Sequence, residues 1–327
     1  MLFRSAQIAT AAQFIDAAER PIIIAGHGVI LSRAHEELKA FAEKTGIPVL
    51  NTLLGLGSLP RDHALSYGML GMHGSYEANH AASTADVVIG IGNRMDDRAL
   101  GRFADFNPTA KIVHIDIDAA EHGKNIATHA PILGDAKHAL SALIPAVRQN
   151  THTEWLRWID DTRAEHAHSM AIPAGPALSV QYICQRISEV NGDDVVIVTD
   201  VGQHQMWAAQ HVKFTFPHQL ITSGGLGTMG FGLPAALGAQ VAFPDQLVVD
   251  IAGDGSFEMT LQELSTAQTY GLPVKIVILN NGFLGMVRQW QELFYENRFS
   301  ETPLADCPDY VKLAEAYGCL GLRARTP

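Results

Sequence analysis

Short apolar runs alternate along this sequence with helix-length amphipathic segments, and that alternation limits the fold more than any other feature. Residues 21–25 (Pro-Ile-Ile-Ile-Ala), 47–50, 86–91, 111–115, 195–199, 247–251 and 274–279 are the strand candidates. A strand that is apolar on both faces is buried on both faces, as happens in parallel sheets covered by helices. Residues 6–19, 33–44, 76–83, 135–148, 154–168, 179–189, 231–242 and 261–270 carry helical periodicity. The order predicts an α/β chain of two doubly wound, mainly parallel-sheet domains. Two prolines and a glycine within residues 171–176 mark a break. The expected bounds are 6–150 for the first domain, 151–176 for the linker and 177–327 for the second.

Composition narrows the function classes. The 327 residues are 47% hydrophobic, which excludes a disordered chain. The 34 acidic and 23 basic residues give a net charge of −11, the wrong sign for a general nucleic-acid binder. No apolar run approaches the ~18 residues of a membrane span. Residues 231–243 come nearest and are broken by Gly232, Pro234 and Gly238. Cys184, Cys307 and Cys319 form no CxxC pair, so reduced thiols are expected rather than a zinc site or disulfides. Leu2-Phe3-Arg4-Ser5 carries no secretory pattern and precedes a helix already under way at Ala6. Thr326-Pro327 ends the chain abruptly after the strand-like Gly321-Leu322-Arg323. Both ends suggest an internal fragment of a longer protein.

Gly253-Asp254-Gly255-Ser256 directly follows one strand candidate, and Asn280-Asn281 directly follows the next. A βαβ unit puts both strand ends at one edge of the sheet. Asp254 offers a carboxylate there and Asn281 an amide oxygen, hard ligands that suit Mg²⁺. Gly253 and Gly255 let the backbone approach a diphosphate, and Ser256 with the next helix N-terminus can bond its charge. The plainer alternative is a pair of strand-end turns, common for Asp-Gly and Asn-Gly. The first half carries a weaker nucleotide signal. Gly26-His27-Gly28 and Gly90-Ile91-Gly92 stand at strand ends, Asp116 and Asp118 flank another, and Arg94 and Arg98 could meet phosphate or a flavin face. Those glycines could equally serve turns alone.

With these motifs the sequence resembles the thiamine-diphosphate enzymes. More narrowly it resembles the acetohydroxyacid synthase (acetolactate synthase) large subunit, through the segments Val201–Trp207, Gly224–Pro234, Leu284–Trp290, Leu70–Gly74, Gly92–Arg98 and His114–Asp118. The resemblance covers nearly the whole chain after Ser5. It implies a central Rossmann-like FAD-binding domain and a thiamine-diphosphate-binding domain. It assigns FAD to Gly26, Gly28, His73, Gly74, Gly92, Arg94, Asp116, Ile117, Asp118 and Asp135. It assigns thiamine diphosphate to Gly202, Gln203, His204, Gln205, Gly227, Met229, Gly253, Asp254, Gly255, Ser256 and Asn281. Asp254, Asn281 and the main-chain oxygen of Phe283 would bind Mg²⁺. Met286, Val287 and Trp290, which otherwise read as a helix packing face, would line the substrate pocket.

The implied reaction decarboxylates pyruvate and joins the remaining two carbons to pyruvate or 2-oxobutanoate, in branched-chain amino acid synthesis. Trp290 would favour the larger acceptor, by about 1–3 kcal/mol. A homodimer or homotetramer, a regulatory small subunit and a bacterial cytoplasmic location are the further expectations, with no nucleic acid and no membrane. The family's activating glutamate belongs to a pyrimidine-binding domain that this sequence does not contain. No catalytic acid–base is therefore assigned, and the chain alone is expected to form no acetolactate. Glyoxylate carboligase and pyruvate oxidase types share the Mg²⁺ motif and remain alternatives, as does a non-catalytic binding module. A pyridine-nucleotide dehydrogenase would need a fuller GxGxxG.

Overall fold

The computed structural model describes residues 3–167, 171–173, 175, 177–304 and 307–327. It divides into two compact units, Met1–Ala171 with Phe214–His218 and Ile172–Lys213 with Gln219–Pro327.

Unit 1 holds β1 (Pro21–Ala25), β2 (Val49–Asn51), β3 (Ser66–Met69), β4 (Val87–Ile91), β5 (Lys111–Asp116) and β6 (Ala130–Leu133). They form one parallel sheet in the order β3-β2-β1-β4-β5-β6. The strand order reverses between β1 and β4, which opens a crevice at the carboxyl edge there. Strand alternation sends Ile23 and Ala25 into a core with helices Ser5–Ala17, His35–Thr45 and Ala136–Ala146, whose Ile15, Phe41 and Leu140 are buried. Ile22 and Ile24 face the other core, against Ala78, Ala81, Trp155 and Ile159.

Several elements differ from the sequence expectation. The helix expected at 33–44 is found as His35–Thr45, and a short helix not expected from sequence, His27–Leu31, precedes it, separated by Arg33 at a positive φ of 53°. β3 contains Gly68 at positive φ, and β6 is an edge strand containing Pro131, so neither carries a clean strand pattern. Helix Thr153–Glu165, assigned to the linker from sequence, packs on unit 1. Its Trp155 is buried and donates Nε1–H to the Pro21 carbonyl at 2.9 Å. The spacing of Trp155, Ile159 and Thr162 along one helix face carries that burial. His168, Ala174 and Pro176 of the expected helix and linker lie outside the described residues.

Unit 2 holds β7 (Val196–Thr199), β8 (Leu220–Thr222), β9 (Val248–Gly253) and β10 (Lys275–Leu279), parallel in the order β10-β9-β7-β8. The order reverses between β7 and β9. Helix Gly232–Ala242 covers these two strands through Leu233, Ala236 and Ala239. The expected helix 261–270 begins as a 3₁₀ turn, Leu261–Glu263, and continues as Leu264–Tyr270. Gly321-Leu322-Arg323 is not a strand. Among the described residues no helix is long and apolar enough to cross a membrane.

Candidate functional site

In unit 2 the two strand-end motifs meet. Leu279 of β10 is in register with Gly253 of β9, so the turns that follow leave the sheet side by side. Helix Asp254–Glu258 starts immediately after β9. Asp254 is buried; its Oδ2 accepts the Gly282 N–H at 2.6 Å and its Oδ1 the Gly255 N–H at 2.9 Å. Asn281 Oδ1 accepts the Phe283 N–H at 3.0 Å, and Phe283 is held further by an antiparallel bridge to Pro303. The carboxylate, the amide oxygen and the nearby main chain thus form a compact oxygen-rich corner that fits a hard divalent cation.

The β7 end faces the same crevice. Ser256 Oγ donates to the Val201 carbonyl at 2.7 Å, which ties the β9 turn to the β7 turn. The segment expected as a diphosphate-gripping loop is instead the first turn of helix Gln203–His211. His204 lies against Gly253, where a Cβ would stand 2.6 Å from its Nδ1. Gly253 is therefore bare for the sake of a packed imidazole. The Nε2 of His204 is buried and has no protein partner among the described residues. Gln205 is committed elsewhere: its amide donates to Thr222 Oγ1 at 2.7 Å and braces β8. Gln203 donates to Gln289 Oε1 at 3.3 Å. Gly227 takes a positive φ of 71° in an exposed loop, and the Met229 methyl reaches to 4.0 Å from where a Gly255 Cβ would be. A cavity of about 1080 Å³ runs past Gly202, His204, Met229, Asp254, Asn281, Met286 and Val287. Trp290 does not line it and packs edge to face on Phe294, with ring centroids 6.2 Å apart.

Burial pushes the His204 imidazolium pKa down to about 4, against a weaker opposing hydrogen bond from the ring to the Asp200 backbone. The unfolded chain then binds a proton that the folded chain refuses, so stability falls as pH drops from about 6.5 toward 4. The loss approaches about 3 kcal/mol at the acid end. Urea titrations at a series of pH values are expected to show it, and His204→Gln is expected to flatten that limb. An unchanged limb in the variant would place the acid sensitivity elsewhere.

In unit 1 the nucleotide candidates gather at the carboxyl edge, but several are already engaged. Gly26 N–H donates to the Ile91 carbonyl and Gly28 N–H to the Gly92 carbonyl, both at 2.9 Å. A Cβ on Gly28 would stand 2.6 Å from Gly92 Cα. The close approach these glycines allow is thus between β1 and β4, and their N–H groups are not available to a phosphate. Asp135 caps helix Ala136–Ala146 by accepting from Lys137 and His138, and Asp118 caps a 3₁₀ turn by accepting the Ala120 N–H. Asp116 Oδ1 accepts the Asp118 N–H at 2.9 Å, and Arg94 pairs with Asp96 at 2.9 Å. Gly74 closes a turn by donating to the Gly71 carbonyl. His73 is half-buried, and burial together with Arg98 lowers its pKa. Met72 and Ile117 remain exposed apolar groups on this edge, and Arg98 Nη1 donates to Met72 Sδ at 3.8 Å.

Residues 8–143 match the thiamine pyrophosphate enzyme central domain, and residues 200–327 match the C-terminal TPP binding domain of the same enzymes. The chain belongs to the thiamine pyrophosphate enzymes. Within them it is 46% identical to an acetolactate synthase of Mycobacterium bovis, over 98% of this chain and 53% of that protein. It is also 46% identical to the isozyme 2 large subunit of acetolactate synthase from Escherichia coli, over 98% of this chain and 58% of the other. The probable acetolactate synthase large subunit of Methanocaldococcus jannaschii gives 46% again, over 98% and 56%. The chain spans about half the length of the curated relatives it matches.

In this chain the strand order reverses between β7 and β9, at the start of the matched C-terminal region, and both turns found from sequence line the cavity at that end of the sheet. Sequence reasoning missed the buried carboxyls of Asp200 and Asp250 beneath that crevice. An aspartate in the apolar run Val248–Gly253 was the available signal. It also missed the Tyr310 hydroxyl donating to Glu258 Oε1 at 2.7 Å on the cavity wall.

Proposed function

We propose that this chain forms the flavin-binding and diphosphate-binding parts of an acetolactate synthase large subunit. Such an enzyme decarboxylates pyruvate and adds the two-carbon product to pyruvate or 2-oxobutanoate. The observation that carries the reading is the convergence of Asp254, Asn281 and the unpartnered His204 Nε2 on one crevice, in a chain 46% identical to acetolactate synthases along almost its whole length.

Thiamine diphosphate, when bound, supplies a carbon nucleophile and an electron sink. The protein's part is to hold and orient it. Asp254, Asn281 and the Phe283 main-chain oxygen would hold Mg²⁺ against the diphosphate. His204, neutral at physiological pH, packs an uncharged ring against Gly253 and leaves Nε2 for a hydrogen bond in the ligand crevice. Met229 stands over the Gly255 turn as an apolar support, and Met286 with Val287 gives the cavity an apolar wall that limits the size of the second 2-oxoacid.

FAD is a second proposed ligand. The β1/β4 reversal, exposed Met72 and Ile117, and the guanidinium of Arg94 support it. The capping duties of Asp118 and Asp135 and the engaged N–H groups of Gly26 and Gly28 move the contact toward those side chains. A regulatory small subunit is proposed from the "large subunit" names of the relatives, and a homo-oligomer from the family resemblance alone.

Calorimetry with Mg²⁺ and thiamine diphosphate tests the diphosphate site, and the flavin absorbance of the purified protein tests FAD. Pyruvate is then given to the full-length protein. Acetolactate as the product is expected; acetyl phosphate or peroxide would move the protein to the pyruvate oxidase type.

A further inference from the structure

Asp200 and Asp250 are both fully buried, at 0% exposure, and together they present three oxygens with no hydrogen-bond partner. Val198 of β7 is in register with Asp250 of β9, and the Asp200 N–H donates to the Ile251 carbonyl at 3.1 Å. Side chains two apart on a strand share a face, so Val198 with Asp200 and Asp250 with Ala252 point to the same side of the sheet. That side is covered by helix Gly232–Ala242, which carries no charged residue. The helix begins where it touches both acids: a Cβ on Gly232 would stand 2.7 Å from Asp250 Oδ1 and 2.9 Å from Asp200 Cβ.

The two carboxyls are not equivalent. Asp200 Oδ1 accepts the Val201 N–H and the Gly230 N–H, each at 2.8 Å. It therefore clamps the turn leading to His204 to the turn that follows Met229. Its Oδ2 is bare, and so are both oxygens of Asp250. Burial raises the pKa of Asp200, while backbone N–H groups of Val201, Gly230, Gly232 and Phe231 oppose the rise. Asp250 has no such support; burial first and Asp200 second raise its pKa well above the ordinary carboxylate range. Two adjacent buried carboxyls without a cation hold one proton between them.

We propose that Asp250 is a positioning residue for the cofactor site: as a neutral acid it donates to Asp200 Oδ2, and so keeps Asp200 as the carboxylate that clamps the His204 and Met229 turns together. The role assigned to those turns rests on the thiamine diphosphate reading; the shared proton does not. Asp200 Oδ2 is a bare acceptor on the residue whose charge acts on Asp250, and one bond between them would satisfy an oxygen on each residue. Through Asp200 the bond reaches Val201 and Gly230, each within three residues of a proposed cofactor contact. Outer hydrogen bonds of this kind orient the groups that touch a ligand.

Three measurements on the full chain test it. Infrared difference spectra of the parent against Asp250→Asn at neutral pH are expected to show the carbonyl stretch of a protonated carboxylic acid, shifted in heavy water and lost in the variant. Amide exchange at Val201 and Gly230 is expected to stay within threefold in Asp250→Asn, whose side-chain N–H replaces the donor. The same amides are expected to exchange at least tenfold faster in Asp250→Val, which removes the donor. Affinity for Mg²⁺ and thiamine diphosphate is expected to follow the same order. Absence of the acid band, or an Asn variant as disturbed as the Val variant, overturns the proposal. If Asp250→Val does not fold, the infrared band and the Asn variant decide. A parent chain that shows the band and binds no thiamine diphosphate would sink the functional reading and leave the shared proton standing.

Discussion

Replacing Asp254 with alanine is expected to weaken Mg²⁺-dependent binding of thiamine diphosphate by at least about 100-fold, or about 2.7 kcal/mol. The carboxylate has two jobs in the structure. Its oxygens accept the Gly255 N–H at 2.9 Å and the Gly282 N–H at 2.6 Å, which fixes the β10 turn against the β9 turn. It is also the single anionic oxygen donor among Asp254, Asn281 and the Phe283 carbonyl, and a hard cation bound by so few protein oxygens depends on that charge. Alanine strands two N–H groups, at about 1–3 kcal/mol for each one that stays buried. Asparagine keeps the size, but its amide nitrogen cannot accept one of the two N–H groups, so Asp254→Asn is expected to resemble the alanine variant. Calorimetry with and without Mg²⁺ reads the effect, and circular dichroism checks the sheet. A variant that binds within threefold of the parent would remove Asp254 from the metal site.

The central strands were legible because burial on both faces leaves a continuous apolar run. Pro21–Ala25 was read with its observed bounds, and β9 and β10 within a few residues. β10 is itself an edge strand and was legible by its apolar run; the other three, Ser66–Met69, Ala130–Leu133 and Leu220–Thr222, were not, being short and at a sheet edge, where apolar demand is weak. The Gly253–Ser256 and Asn280–Asn281 turns stood out because strand-end chemistry is local. What those glycines touch was not legible. Gly253 makes room for His204 and Gly28 makes room for Gly92, contacts set by tertiary packing and not by any spacing. The helical repeat of Met286, Val287 and Trp290 likewise gave a face but not its partner, and the structure separates Trp290 from the cavity wall. Asp118 and Asp135 show the same limit: no spacing told that each carboxylate caps the turn or helix that follows it.

Gly92→Ala is expected to destabilise unit 1 by about 3 kcal/mol or more, because two independent costs fall on one atom. Gly92 takes a φ of +58°, where a Cβ costs about 1 kcal/mol even in open space. The added carbon would also stand 2.5 Å from Gly28 Cα and 2.9 Å from Gly28 C. Those are backbone atoms, so no rotamer change relieves the contact, and overpacking of this kind costs about 1–3 kcal/mol. The strain also spreads. Gly28 N–H donates to the Gly92 carbonyl at 2.9 Å and Gly92 N–H to the Ile115 carbonyl at 2.8 Å. Moving Gly92 therefore disturbs the ends of β1, β4 and β5 at once, at the reversal point proposed for FAD. Gly123→Ala is the control that separates the costs: its φ is +75°, but nothing lies within 4 Å of its Cβ position. It is expected to lose only about 1 kcal/mol. Urea unfolding, followed through the fluorescence of the stacked Trp155 and Trp158 on unit 1, measures both variants. If the two lose the same stability, the Gly28–Gly92 contact carries no energy of its own, and backbone conformation alone explains both glycines. If Gly92→Ala loses more and also gives up flavin that Gly123→Ala retains, the β1/β4 contact holds the crevice in the shape the ligand needs.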